Sequence, residues 1–231
     1  RRGTMILVPT DTPGLDVVEC EVDSIVNTGG RFTGVRMGEE IVNARACVLT
    51  TGTFLRGLMH TGEKQTDGGR EGEPAASSLS RNLAALGLRM GRLKTGTPPR
   101  VFVDSVDFSP LKPQPGDAPP LPFSHRTERI EQPQVMCHLT YTSERTHDVI
   151  RENLHRSPLY GGIIEGIGPR YCPSIEDKVV RFPAKIRHQI FVEPEGIDHP
   201  ELYMNGISTS LPVDVQLAIL ATLPGFENAR M

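Results

Sequence analysis

The stretch GPRYCPSIEDKVVRF, which runs from Gly168 to Phe182, places Cys172 between a tyrosine and a proline and next to several charged residues. Structural cysteines are more typical of apolar segments such as ARACVLTTG around Cys47, where the thiol acts as a small hydrophobe. Ser174, followed three residues later by Asp177, approximates a capping box. The stretch therefore predicts a short helix that starts just after Cys172 and ends before the next proline.

The predicted helix start has consequences for the thiol chemistry of Cys172. The partial positive charge of a helix N-terminus, together with Arg170 and Lys178, favours the thiolate, which is the nucleophilic form of cysteine. Glu176 and Asp177 act in the opposite direction. The pattern leaves two interpretations open, a reactive thiol and an incidental half-buried cysteine, of which the second is the commoner outcome.

Length and composition place the chain among ordinary soluble globular proteins. Its 231 residues suit one large domain or two small ones, and its apolar fraction of 37% supports a sizeable core. A net charge of -3 gives no global basic field for nucleic acid, although a local patch would be compatible with it. The apolar runs are too short to span a bilayer, and the absence of CxxC spacing favours a reducing cytosol. We expect the chain, which lacks an initiator Met, to be a fragment.

The first hundred residues show β-rich runs and then a helical pattern. A turn signal, NTGG at residues 27–30, separates short runs that predict a meander; the runs are DVVECEV, SIV, RFTGVRM, EEIVNA and ACVLT. The last run leads into VLTTGTF, where Gly52 would leave the backbone open to a ligand, with an ordinary tight turn as the alternative. The leucine spacing in SSLSRNLAALG predicts a helix, and LRMGRLKT predicts a strand after it.

Beyond residue 100 the pattern changes. Prolines and polar residues between Val101 and Gln134 predict an extended excursion that marks a boundary. After it we expect a strand in VMCHLTYT, a helix in ERTHDVIRENL capped near Ser143, and a second strand in HQIFVEP, which together suggest a small α+β insertion. A last helix begins at Pro212, because proline is favoured in the first turn of a helix.

Two further sets of residues are candidates for chemistry. Cys137 and His138 could bind a metal with Cys172 or His188, but alternation along a strand would point the two adjacent side chains to opposite faces. His147, on the first turn of a predicted helix, could serve in acid-base catalysis. A solvated or cap-associated histidine is the commoner outcome for such a position.

Six segments, taken together, closely resemble the bacterial GidA family, whose members are also called MnmG. They are VLTTGTF (48–54), GGREGEP (68–74), GRLKTGTPPR (91–100), GPRYCPSIEDKVVRF (168–182), EPEG (193–196) and NGISTSLP (205–212). The resemblance extends over nearly the whole chain, and its cysteine motif is highly specific. It implies an α/β fold: part of an FAD/NAD(P)-binding domain of the glutathione-reductase type, Rossmann-like, with an inserted α+β domain.

The resemblance also implies a function. Family members are FAD-dependent enzymes of tRNA modification, which act with the GTPase MnmE to install an aminomethyl or carboxymethylaminomethyl group on C5 of the wobble uridine. Methylene-tetrahydrofolate supplies the carbon, and NADH binds with the help of the inserted domain. We accordingly expect a cytoplasmic homodimer with no membrane association. The alternatives are the related folate- and FAD-dependent tRNA methyltransferase family and a non-catalytic RNA- or partner-binding fragment.

Domains and site residues follow from the same resemblance. Residues 1–100 correspond to part of the FAD-binding domain, 101–203 to the insertion with the cysteine motif and NADH site, and 204–231 to a return to the FAD-binding domain. The glycine-rich FAD fingerprint lies outside this sequence. Cys172 is the expected catalytic residue, and Val22, Thr51 and Gly52 are expected near FAD. The residues that correspond to the nicotinamide-nucleotide site are Gly168, Pro169, Arg170, Tyr171, Cys172, Pro173, Ser174, Ile175, Glu176, Asp177, Lys178, Val179, Val180, Arg181 and Phe182.

Overall fold

A computed structural model describes residues 13–166, 168 and 172–231. Contacts between Cα atoms divide the chain into two compact units. The first holds the chain up to Met59 together with Thr66–Met90, and the second holds His60–Gln65 together with Gly91–Met231.

The first unit contains a three-stranded antiparallel sheet and one helix. Its elements are β1 (Ser24–Thr28), β2 (Arg31–Met37), β3 (Glu40–Asn43) and α1 (Ser77–Ala85). The strands pair in chain order, so the predicted meander is confirmed for SIV, RFTGVRM and EEIVNA. Leu79 and Leu83 of α1 are buried, as their spacing predicts. Asn82 accepts a hydrogen bond from the backbone N–H of Ile25 at 2.8 Å, which ties α1 to β1.

The second unit is built on a five-stranded antiparallel sheet with the order β6-β10-β9-β8-β7. A hairpin precedes this sheet in the chain, and both of its strands cross the boundary between the units. In chain order the strands are β4 (Leu58–Thr61) and β5 (Lys64–Asp67) of the hairpin, then β6 (Arg100–Phe102), β7 (Lys112–Gln114), β8 (Cys137–Tyr141), β9 (Gln189–Pro194) and β10 (Glu201–Asn205). The predicted strands in VMCHLTYT and HQIFVEP are β8 and β9.

Three helices share the core of this unit with the sheet. They are α2 (Glu144–Glu152), α3 (Ile175–Arg181) and α4 (Val213–Leu220). Ser143 caps α2 and Pro212 is the N-cap residue of α4, so both predicted helix starts are confirmed. Among the described residues, no helix has the length and hydropathy of a membrane span. The most deeply buried core residues are Val101, Ile150, Ile175, Val179, Ile190, Val192, Met204, Ile207, Leu211, Leu220, Leu223 and Phe226.

Three predicted strands are absent from the described structure. The segments DVVECEV, ACVLT and LRMGRLKT form no regular strand, and Val48 and Leu93 are largely exposed. A strand is stable only when a neighbour supplies its hydrogen bonds and covers its apolar face. Apart from a single β-bridge residue at Leu93, these segments are in no strand among the described residues, so β propensity alone does not order them as strands.

The proline-rich segment after residue 100 contains two short strands, which corrects the prediction that it is extended throughout. β6 and β7 lie within residues 100–114 and form the two edges of the sheet, and Val101 and Leu111 are buried. The sequence obscured these strands because each has only three residues and prolines surround them. Residues 204–231 lie in the same compact unit as the sheet. The division into domains at 1–100, 101–203 and 204–231 stays a prediction about the longer protein.

Replacing Gly225 by alanine should destabilise the second unit. Gly225 has a φ of +83°, and an added Cβ would overlap the carbonyl oxygen of Asp107 next to the buried Phe226. Left-handed backbone costs an L-residue about 1–2 kcal/mol and overpacking adds about 1–3 kcal/mol, so we expect a loss of roughly 2–5 kcal/mol. Gly91→Ala is the matched control, because its added Cβ meets open space. Urea unfolding measures both variants, and equal stabilities would contradict this account.

Candidate functional site

Cys172 lies three residues before the start of the helix that its motif predicts. Helix α3 begins at Ile175, and Ser174 is its N-cap residue. The Ser174 hydroxyl accepts from the backbone N–H of Asp177 at 3.2 Å, and the Asp177 carboxylate accepts from the backbone N–H of Ser174 at 3.3 Å. The capping box is therefore confirmed, and it fixes the backbone that carries the half-buried thiol.

The sulfur of Cys172 contacts the segment GRLKTGTPPR. Its Sγ lies 3.2 Å from the Oγ1 of Thr95 and 3.9 Å from the carbonyl oxygen of Gly96. Thr95 is exposed and Cys172 is only half buried, so solvent can reach this pair. The sequence singled out both segments but gave no sign that they touch, because hydrogen bonds between residues about eighty positions apart leave no local pattern.

An ion pair joins the same two segments. The Nζ of Lys94 lies 3.2 Å from the Oδ2 of Asp177, and each side chain is only 12% exposed. Burial alone would raise the pKa of Asp177, but the charge and hydrogen bond of Lys94 and the N–H of Ser174 outweigh it and lower the pKa. The Tyr160 hydroxyl donates to the Oδ1 of Asp177 at 3.2 Å, and burial together with this carboxylate raises the pKa of Tyr160 to about 12. The carboxylate thus holds three segments of the unit together.

Glu176 is fully buried in the second unit. Its Oε1 accepts from the hydroxyl of Thr209 at 3.0 Å and from the backbone N–H of Ser210 at 3.3 Å, with the hydroxyl of Ser157 at 3.4 Å. Its Oε2 has no hydrogen-bond partner among the described residues. Burial raises the pKa of Glu176 despite these donors, so the site favours the protonated acid.

Lys178 is turned toward the protein interior. Its ammonium donates to the carbonyl oxygen of Gly206 at 2.8 Å, and burial lowers its pKa. Lysine has three donor hydrogens, so this bond leaves others available to an anion. Its predicted role as a phosphate contact, beside Arg170, stays a prediction.

The other residues of the motif divide between core and surface. Ile175 and Val179 are buried in the hydrophobic core, whereas Val180 and Phe182 are exposed. Gly168 lies against Lys94, whose Cε is 3.1 Å from the position of an added Cβ. The predicted site residues Pro169, Arg170 and Tyr171 lie outside the described residues.

The residues expected near flavin lie in the first unit. Val22 comes two residues before β1, outside any strand, which corrects the expectation that a strand carries it. Thr51 is half buried, and its carbonyl accepts from the backbone N–H of Phe54 in a tight turn. Gly52 is exposed with a φ of +55°, and the space beside it is open. This bare backbone fits the close approach of a cofactor, which a larger side chain would obstruct.

The histidine candidates belong to the interior. The Thr142 hydroxyl accepts from the backbone N–H of His188 at 2.7 Å and lies 2.8 Å from the Nε2 of His147, and the tautomer of His147 decides which of these last two groups donates. His147 is thus a buried, hydrogen-bonded residue rather than a solvated one, and burial lowers its pKa. His138 packs against the ring of Phe108 at 4.8 Å. In the part of the chain that the structure describes, no three His, Cys, Asp or Glu side chains are grouped to bind a metal.

The raised pKa of Glu176 predicts how stability varies with pH. A group whose folded-state pKa lies above its unfolded value of about 4.3 contributes stability that is complete below that value and is lost as pH rises through the folded-state pKa. Glu176→Gln stays neutral, so its stability relative to the unmodified protein should improve as pH rises from 4 toward 8. Urea unfolding across this range measures the difference.

A control separates this effect from the loss of any carboxylate. Glu152→Gln removes an exposed carboxylate on α2, and its profile is subtracted from that of Glu176→Gln. A Glu176→Gln difference that stays constant or moves the opposite way with pH would contradict a raised pKa for Glu176 in the folded protein.

Comparison with known proteins shows the family to which this chain belongs. The profile of the family described as "Glucose inhibited division protein A" matches residues 6–231. A relative from Syntrophotalea carbinolica, named "tRNA uridine 5-carboxymethylaminomethyl modification enzyme MnmG", is 52% identical over 97% of this chain and 36% of its own length. One of the same name from Pelobacter propionicus is 54% identical over 94% of this chain and 35% of its own length.

Solved structures agree with the sequence comparison. The structure of Aquifex aeolicus GidA in crystal form I has a TM-score of 0.83 and 47% identity over 95% of this chain and 38% of that one. Form II has a TM-score of 0.80 and 43% identity. This likeness and the mixed helices and sheets confirm the α/β fold class. The chain spans little more than a third of the length of these relatives, and it belongs to the GidA family.

Proposed function

We propose that the complete protein is an FAD-dependent enzyme that modifies C5 of the wobble uridine in tRNA. It is a cytoplasmic homodimer that acts together with a partner, the GTPase MnmE. Methylene-tetrahydrofolate supplies the carbon and NADH supplies the reducing equivalents. The group that it installs is an aminomethyl or carboxymethylaminomethyl group. Membership of the GidA family and the names of the relatives support this proposal.

One observation carries the catalytic assignment within this chain. Cys172 is a solvent-accessible thiol with a hydroxyl partner, and it is fixed next to a capped helix rather than in the hydrophobic core. A merely structural cysteine would have apolar neighbours. The surroundings of Cys172 therefore suit a thiol that reacts with a substrate.

The reaction gives that thiol a definite task. Carbon C5 of uracil is a poor nucleophile, and addition of a thiolate to C6 forms an S–C6 bond and moves an electron pair into an enolate. The enolate can then form a bond from C5 to a methylene electrophile. Loss of the C5 proton and cleavage of the S–C6 bond restore the ring and release Cys172. A general acid-base role for Cys172 is the alternative within the same proposal.

A few residues of this chain are assigned to binding flavin and NADH. Flavin, when bound, supplies electron transfer, and the exposed backbone at Gly52, beside Thr51, lets a planar ring approach closely. Val22 is assigned to the adenine side from the resemblance alone. The NADH site is assigned to Gly168–Phe182, where Arg170 and Lys178 would bind phosphate oxygens.

Replacing Cys172 by serine tests the catalytic assignment. Serine is nearly isosteric, but its hydroxyl is far less acidic, so Cys172→Ser in the complete protein should keep its fold and flavin content while turnover falls by at least a hundredfold. The assay combines MnmE, GTP, NADH, methylene-tetrahydrofolate and unmodified tRNA, and mass spectrometry of the wobble uridine measures product.

The matched control is Cys137→Ser, which replaces another half-buried cysteine, on β8. It should retain most of the turnover and cost about 1 kcal/mol of stability, the usual scale for a point substitution. Near-normal product from Cys172→Ser with full flavin content would eliminate the catalytic role.

Replacing Gly52 by valine tests the flavin assignment. The Cβ and methyl groups of valine would fill the open space beside the turn, so the purified complete protein should contain several-fold less flavin by absorbance. Gly38→Val is the matched control, because Gly38 also has a positive φ of +61° and open space beside it but lies in the turn between β2 and β3. Equal flavin content in both variants would count against the assignment.

A further inference from the structure

Thr95 is the side chain that the described structure places against the sulfur of Cys172. The two atoms, Oγ1 and Sγ, are 3.2 Å apart, and either can donate the hydrogen bond while the cysteine is a thiol. The other polar contact of the sulfur is the carbonyl oxygen of Gly96 at 3.9 Å, which can only accept. The roles of these neighbours therefore differ once the thiol loses its proton.

Ionisation of Cys172 leaves the hydroxyl of Thr95 as the donor in this contact. A thiolate has no proton to give, so its contact with the Gly96 carbonyl becomes repulsive, whereas the Thr95 O–H can point at the negative charge. Hydrogen bonds to charged groups are about twice as strong as those between neutral groups. The hydroxyl of Thr95 thus fixes the direction in which a sulfur lone pair lies.

The backbone around Thr95 is held from both sides. On one side Lys94 forms the nearly buried ion pair with Asp177. On the other, the carbonyl of Thr97 accepts from the backbone N–H of Thr209 at 3.1 Å. Gly96 lies so close to Ser208 that an added Cβ would come within 2.9 Å of its Cβ. These contacts hold in place the backbone that carries Thr95.

We propose that Thr95 is a positioning residue for Cys172, whose hydroxyl donates a hydrogen bond to the thiolate and holds it ready for attack on a carbon electrophile. The proposal rests on the proposed function for its biological meaning, since it assumes that the thiolate of Cys172 is used. The contact itself is a property of the thiol and can be tested without any turnover.

The experiment measures alkylation of Cys172 by iodoacetamide in the complete protein. Mass spectrometry of the peptide that contains Cys172 distinguishes it from the other cysteines. Thr95→Val removes the hydroxyl and keeps the branched shape, Thr95→Ser keeps the hydroxyl, and Thr97→Val removes a neighbouring hydroxyl that bonds to Arg100 instead. Rates are taken from pH 6 to 9, and circular dichroism checks the fold of each variant.

We expect Thr95→Val to alkylate about threefold to tenfold more slowly at pH 7, because one hydrogen bond to the attacking sulfur is lost. Thr95→Ser should restore most of the rate, and Thr97→Val should leave it unchanged. An unchanged rate in Thr95→Val overturns the proposal. Equal slowing in the Val and Ser variants also overturns it, because the effect would then come from shape and not from the hydroxyl.

Turnover in the complete protein separates this proposal from the function on which it rests. If both hold, Thr95→Val lowers kcat by a factor similar to that for alkylation, and Thr95→Ser restores it. If Thr95→Val slows alkylation but Cys172→Ser still turns over, the contact stands and the proposed catalytic role of Cys172 fails. If Cys172→Ser is inactive but Thr95→Val alkylates normally, the catalytic role stands and Thr95 has no part in it.

Discussion

The carboxylate of Asp177 connects the parts of the second unit that surround Cys172. It caps α3 through the backbone of Ser174, pairs with Lys94 and accepts from the hydroxyl of Tyr160. A nearly buried ion pair repays its desolvation only when further hydrogen bonds satisfy the remaining lone pairs, and these donors do so. Since Lys94 directly precedes Thr95, the same pair that anchors the helix also sets the position of the hydroxyl beside the sulfur.

Neighbouring carboxyl groups in this motif have opposite electrostatic environments. Burial acts on both, but Lys94 lowers the pKa of Asp177, whereas Glu176 has only neutral donors and its pKa is raised. Asp177 therefore serves as a charged anchor. Glu176, whose pKa is raised, joins α3 to the segment at Thr209, with one oxygen left without a partner among the described residues. Glu176 and Asp177 have different surroundings because adjacent residues in a helix point in different directions.

Local signals in the sequence correctly predicted those elements that depend on residues close together in the chain. Capping residues located the starts of α2 and α3, and the turn signal with alternating apolar residues located the meander. The same reasoning failed for ACVLT and LRMGRLKT, whose apolar residues predict strands although neither segment forms a regular strand in the described chain. It also missed β6 and β7, because a strand of three residues among prolines has almost no pattern of its own.

By itself the sequence determined the family, the helix that follows Cys172 and the identity of the thiol as the candidate for chemistry, because motifs and caps are written in consecutive residues. Only the tertiary structure decided what touches the sulfur. The contact of Thr95 with Cys172 and the pair of Lys94 with Asp177 join positions about eighty residues apart. Such contacts depend on how the sheet and helices close around their core, and no local pattern of apolar or charged residues specifies that closure.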